Sequence, residues 1–158
     1  MAKESKNSKE RKRLYQIYNR LYEMHYSESS SKGCCFYCGE PASTIDHCPP
    51  LTWIEAMTVN EWLKAKIPLV KIHSCSDCNK VLGTKPIFTL YERAAYLEKD
   101  FLNKYEKQST LWSNDEIKEM SYMFQLQIKG KIEKAKILLV RARNLQNRLS
   151  RPDSFPGV

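Results

Sequence analysis

The chain has 158 residues, of which 42% are hydrophobic and 28% charged, with 5 glycines and 7 prolines. That profile suits one domain with a modest core and excludes a disordered, collagen-like or low-complexity protein. The formal charge of +8 sits at the two ends: residues 1–26 carry seven Lys/Arg against three acids, and residues 129–151 carry eight against one, around a mildly acidic middle.

Leu14, Ile17, Tyr18, Leu21, Tyr22 and His25 recur at helical spacing, which predicts a basic N-terminal helix over residues 8–26 with Arg11, Arg13 and Arg20 outside the apolar stripe. The stretch from Ser27 to Gly33 is small and polar and reads as a loop. Short strands are expected over residues 42–45 and 69–72. Thr52 with Glu55 or Thr58 with Glu61, then Thr89 with Glu92 and Ser113 with Glu116, are capping-box pairs. In such a pair the hydroxyl accepts from a free N–H and the carboxylate reaches back. They predict a short helix within 53–66, another over 90–107 and a long one over 114–149, in which Gly130 is a weak spot. Residues 151–158 read as a frayed tail. The expected fold class is therefore α+β and mostly helical, with a small β element between basic N- and C-terminal helices in a single domain.

Neither a secretory signal nor a bilayer-crossing run is visible, the longest aliphatic stretch being Ile137 to Val140. An intracellular, cytoplasmic protein that does not engage a membrane is expected. Its net charge points to polyanionic partners such as nucleic acid, although basic helix faces are also compatible with simple solvation.

Six cysteines in an intracellular chain suggest metal before disulfide. Cys35 and Cys38 share the two-residue gap of Cys75 and Cys78, and Gly39 follows the first pair. That gap lets two thiolates on one tight turn converge on an ion. Two such pairs close a tetrahedral, structural Zn2+ site with no open position. Cys34 and Cys48 are left over as small apolar groups. Between the pairs lies Asp46-His47-Cys48-Pro49-Pro50, and Asn79 directly follows the fourth cysteine. On an extended chain Asp46 and His47 point to opposite sides, so that one can face a hard cation and the other a water.

Cys35-x2-Cys38, Asp46-His47 and Cys75-x2-Cys78-Asn79 together resemble the core of the HNH endonuclease superfamily, in particular its zinc-stapled branch, which includes the phage recombination endonuclease VII. The resemblance spans residues 33–86, and it extends to Ile45 through Pro50 and to Cys78 through Gly83. It implies a ββα-metal fold in which His47 is the general base and Asp46 and Asn79 hold one catalytic Mg2+ or Mn2+. The implied activity is DNA phosphodiester hydrolysis, with RNA left open as substrate. The asparagine usual in that family shortly before the second cysteine pair is missing, and Asn60, more distant in sequence, is a candidate substitute. Flanking the core, Lys80 and Lys85 are candidate phosphate contacts. Lys129, Lys131, Arg141 and Arg143 belong to a basic terminal helix able to supply sequence-independent affinity. The same helix could pair with a second copy or dock on a larger assembly. The rival reading is a non-catalytic, zinc-stapled DNA-binding module or interaction subunit. His25, His73, Asp77 and the tryptophans Trp53, Trp62 and Trp112 read as structural.

Overall fold

The computed structural model describes residues 6–27, 32–109 and 112–156. It is mostly helical around a small sheet. Helix α1 (Lys6–Tyr18) ends in a 3-10 turn (Asn19–Leu21). Strand β1 (Glu23–Met24) follows, where an uninterrupted helix to residue 26 was expected. The helical period fails there because Tyr22 turns extended, its hydroxyl donating to the Pro49 carbonyl at 2.7 Å, while Glu23 and Met24 pair in parallel with Val70 and Lys71.

Strand β2 (Thr44–Cys48) and strand β3 (Val70–Ser74) lie a few residues beyond the expected spans and pair antiparallel, with His47 opposite Lys71. The order is β1-β3-β2, with β3 central. Between β2 and β3 run a 3-10 segment (Leu51–Ala56) and helix α2 (Val59–Lys64). Of the two capping boxes weighed for this region, Thr58 forms the one observed: its N–H and hydroxyl both donate to Glu61 Oε2, and its hydroxyl oxygen accepts from the Glu61 N–H.

Helix α3 (Ser76–Leu82) carries the second cysteine pair and stops at Gly83, whose φ of +50° suits a residue without a Cβ. Helix α4 (Leu90–Ser109) begins at the Thr89–Glu92 pair. The long helix expected over 114–149 is split at Met120 and Ser121 into α5 (Asn114–Glu119), which has a complete Ser113–Glu116 capping box, and α6 (Tyr122–Leu149).

Helices α4 and α6 pack along each other. Leu90, Ala94, Leu97 and Phe101 face Ala142 and Leu145, and the same cluster takes in Phe36, Tyr37, Ile72 and Leu82. A second cluster, with Tyr22, Ile54, Trp62 and Leu69, seats β1 and the 51–64 segment. The tail is not frayed over the described residues. Phe155 is 3% exposed and stacks edge-on against Phe36 and Tyr91, because its ring fills a gap between α4 and the first cysteine turn. No helix among the described residues is long and apolar enough to cross a membrane.

Candidate active site and metal centre

The two cysteine pairs arrive on different local structures. Cys35 to Gly39 is a tight turn, with the Gly39 N–H donating to the Cys35 carbonyl at 3.1 Å and Gly39 at φ +79°. The Phe36 N–H donates to the His73 carbonyl at 2.8 Å, which moors this turn to β3. Cys75 is instead the N-cap of α3, its sulfur accepting from the Cys78 N–H at 3.4 Å, so the second pair sits where a helix terminus favours thiolate.

All four sulfurs are buried and lie within 4.8 Å of one another. Ligands at the usual 2.3 Å around a tetrahedral zinc stand about 3.8 Å apart, and Cys38 Sγ and Cys75 Sγ are separated by 3.7 Å. None of the six cysteines is disulfide-bonded in the structure. These residues can hold a metal ion, and the all-sulfur donor set suits Zn2+. Cys34 and Cys48 stand outside the cluster, and burial pushes the Cys48 thiol well above its ordinary range.

Helix α6 closes over this centre. Arg141 Nη2 donates to Cys75 Sγ at 3.2 Å and approaches Cys78 Sγ at 3.5 Å, while Nη1 bonds Asp77 at 3.0 Å. One turn on, Asn144 donates to the Cys38 carbonyl at 2.9 Å, and the Arg148 guanidinium lies over the Phe36 ring. The expectation that Arg141 contacts nucleic acid is therefore corrected. Its side chain is buried against the cysteines because a four-thiolate site carries an excess of negative charge that a guanidinium offsets. Asp77, read as a turn residue, is its partner.

Strand alternation sends the neighbours Asp46 and His47 in opposite directions. His47 faces the N-terminal segment, 9% exposed, with Tyr15 and Tyr22 edge-on against its ring. Its Nε2 lies 2.8 Å from Asn19 Oδ1, and the Lys71 ammonium reaches the same oxygen at 3.4 Å and the Asn19 carbonyl at 3.3 Å. An ammonium beside that atom fixes it as the acceptor. His47 therefore carries its proton on Nε2, and Nδ1 keeps the lone pair. Burial, with help from the nearby Lys71 and Arg93 charges, pushes the imidazole down to about 4, so the ring is neutral near pH 7.

Asn19 was missed in the sequence because it lies outside the span of the resemblance, in what read as a continuous helix. Asn60, the substitute considered there, is exposed on α2 and does not take this role.

Asp46 turns to the interior. Its Oδ1 accepts from Arg93 Nη2 at 2.7 Å, and its Oδ2 accepts from Arg93 Nε at 3.1 Å and from the Tyr37 hydroxyl at 2.6 Å. Burial raises this carboxyl above its ordinary range, a rise that Arg93 and Tyr37 oppose without cancelling. A bidentate guanidinium in a fully buried setting is the partner an ionised carboxylate requires. An ionised carboxylate offers about four acceptor positions. Three are filled, by Arg93 and Tyr37, and the carboxylate is buried in that ion pair.

Asn79, on α3, donates through Nδ2 to Thr44 Oγ1 and to the Ile45 carbonyl, both at 3.2 Å, which leaves its amide oxygen as the atom open to a ligand. Asp46, His47 and Asn79 all border one cleft of about 720 Å3, together with Lys12, Tyr15 and Thr84.

Among the remaining basic candidates, Lys80 is exposed on α3. Lys85 instead folds back, its ammonium donating to the Val81 carbonyl and lying over the Tyr96 ring, so it caps the end of α3. Lys129, Lys131 and Arg143 are exposed on α6, an element that does not line the cleft. His25 packs edge-on against Phe36, and His73 lies beside Tyr26. Trp62 is buried as expected, whereas Trp112 is largely exposed and Trp53 is anchored by its Nε1–H to the Thr84 carbonyl. Comparisons of the chain with protein-family profiles, with curated proteins and with solved structures find no match.

Proposed function

We propose that the protein is a metal-dependent endonuclease of the HNH kind that hydrolyses phosphodiester bonds in DNA and is stapled by a structural zinc on Cys35, Cys38, Cys75 and Cys78. The observation that carries this reading is the placement of His47 and Asn79 on the lining of one cleft beside the four-cysteine centre, with the Asp46 carboxylate buried on the inner side of the same strand.

His47 is held neutral with its proton on Nε2, and Nδ1 takes the proton of the attacking water. Asn19 holds the tautomer and the ring orientation. Asp46 Oδ1 and Asn79 Oδ1 are the atoms that would hold a Mg2+ or Mn2+ ion. When bound, such an ion supplies charge neutralisation at the scissile phosphate and at the leaving oxygen. Lys12 at the cleft rim and Lys80 beside it contact backbone phosphates, which gives binding without sequence preference and a steep loss of affinity with salt. The products are a 5′ phosphate and a 3′ hydroxyl.

One observation favours a second reading, a non-catalytic nucleic-acid-binding module: Arg93 and Tyr37 take three of the acceptor positions of Asp46. Supercoiled plasmid separates the two. The nuclease reading predicts nicking by the full chain with Mg2+ or Mn2+, lost in His47→Ala while duplex binding is retained. Duplex binding without nicking by the wild type supports the module.

A further inference from the structure

Helix α6 has two apolar faces, and α4 covers only one of them. Ile128, Ala135, Ala142 and Leu145 are buried in the fold. On the opposite side Tyr122 is 73% exposed, Met123 66%, Leu126 46%, Ile137 52% and Val140 52%. Met123, Leu126, Gly130, Glu133, Ile137 and Val140 follow the alternating three- and four-residue spacing of a helix-pairing seam.

Two further features mark this face. Gly130 sits at its middle, and a Cβ there would meet nothing within 4 Å. Among the described residues nothing packs against this glycine, whose bare backbone admits a close neighbour. The seam is also edged with positive charge. Lys129, Lys136 and Arg143 recur every seven residues along one side and Lys134 lies on the other, all exposed. The only acid within the seam, Glu133, pairs with Lys136 at 2.7 Å.

We propose that this outer face of α6 is a docking site for an amphipathic helix of another protein that carries aliphatic seam residues flanked by Glu or Asp. Charge decides the occupant. A second copy of the chain would set Lys129, Lys136 and Arg143 against their own equivalents when antiparallel, or against Lys134 when parallel. Both orientations are repulsive, whereas acidic flanks complement Lys129, Lys134, Lys136 and Arg143. Nucleic acid would satisfy the lysines but leave the apolar row unmatched. The site is separate from the cleft and stands whether or not the chain cuts nucleic acid.

The test uses the full chain and three synthetic helical peptides, read by fluorescence anisotropy. One has a Leu/Ile seam with Glu at both flanks, the second has Lys at those flanks, and the third is a scrambled version of the first that keeps its charge but lacks the seam. The Glu-flanked peptide is expected to bind at least tenfold more tightly than either control. Ile137→Ser with Val140→Ser should weaken it at least tenfold. Gly130→Leu should also weaken it, while leaving the thermal melt of the free protein unchanged or raised, which separates lost docking from lost folding. Equal binding of the scrambled peptide, no binding of the Glu-flanked peptide, or a dimer by light scattering that Gly130→Leu dissociates would each overturn the proposal. So would double-serine and Gly130→Leu variants that are folded and bind the Glu-flanked peptide as the wild type does.

Discussion

Asn19 and His47 meet at 2.8 Å, the amide oxygen of one accepting from Nε2 of the other, so the turn after the first helix sets the state of a ring near the end of β2. Lys71, opposite His47 on β3, holds Asn19 from the other side. Replacing Asn19 with Ala removes the acceptor and frees the imidazole to exchange its proton between nitrogens. Cleavage is expected to fall by about 10- to 100-fold, as for other groups that orient a functional side chain. Nitrogen NMR of the labelled ring should show the single Nε2–H tautomer giving way to a mixture, a change that general destabilisation would not produce. An unaltered tautomer in Asn19→Ala would remove Asn19 from the account.

Arg93 and Asp46 form a buried ion pair that ties α4 to β2, and Tyr37 brings in the turn of the first cysteine pair. Removing the cation strands a carboxylate in the interior, so Arg93→Ala should cost about 3–5 kcal/mol in urea unfolding. Tyr37→Phe, which removes one hydrogen bond to a charged acceptor, should cost about 1.5–3 kcal/mol. If Asp46 also holds the divalent ion, loss of Tyr37 should weaken cation binding measured by calorimetry more than it weakens duplex binding.

Much of the site could be read from the sequence because the information is local. The two-residue cysteine gaps, the Asp46-His47 dipeptide and the hydroxyl–Glu pairs at Thr58, Thr89 and Ser113 each act within a few positions. What could not be read depends on distant partners. Nothing near Asn19 signals that it reaches a ring 28 residues on, and Arg93 looks like one more surface charge on a helix until β2 is laid beside it. Arg141 belonged by pattern to a basic face, but the geometry of α6 aims it at thiolates 63 and 66 residues away. The strand at Glu23 exists only because β3 offers it an edge, so no local periodicity announces it.

The cysteine centre predicts one zinc per chain by elemental analysis, with Cys34 and Cys48 contributing nothing to it. Chelation should loosen the knuckle, because the four sulfurs tie the first cysteine turn to the start of α3. Arg141→Met keeps much of the side-chain bulk but removes the donors to Cys75 and Cys78. Zinc release to a colorimetric chelator should then accelerate by about tenfold or more. Retention of full zinc content in Cys38→Ser or Cys75→Ser would contradict the assigned ligands.

The depressed His47 pKa has a definite sign in stability. The unfolded ring takes up a proton near pH 6.5, and the folded ring resists until about pH 4. Between these values the unfolded state binds more protons, so stability falls as pH falls, by about 2 kcal/mol from pH 7 to pH 5. Zinc loss in acid adds to this in every variant. The test is therefore the difference between wild type and His47→Gln in urea unfolding at each pH. The wild type should lose about 2 kcal/mol more than the variant over that window, and parallel pH profiles would refute the assignment.

The most direct measurement is single-turnover cleavage of an end-labelled duplex by wild type, His47→Ala and His47→Gln, each at protein concentrations that saturate the DNA and with Mn2+ present or chelated. Wild type should cut only with the ion and leave nicks that DNA ligase reseals without end repair. Both variants, folded by circular dichroism and equal in duplex affinity, should be slower by at least about 100-fold, the contribution expected of a general base. Cutting that continues at the wild-type rate in folded His47→Ala, or no cutting by wild type under any divalent ion, would contradict the assignment of His47 as the base of a metal-dependent nuclease.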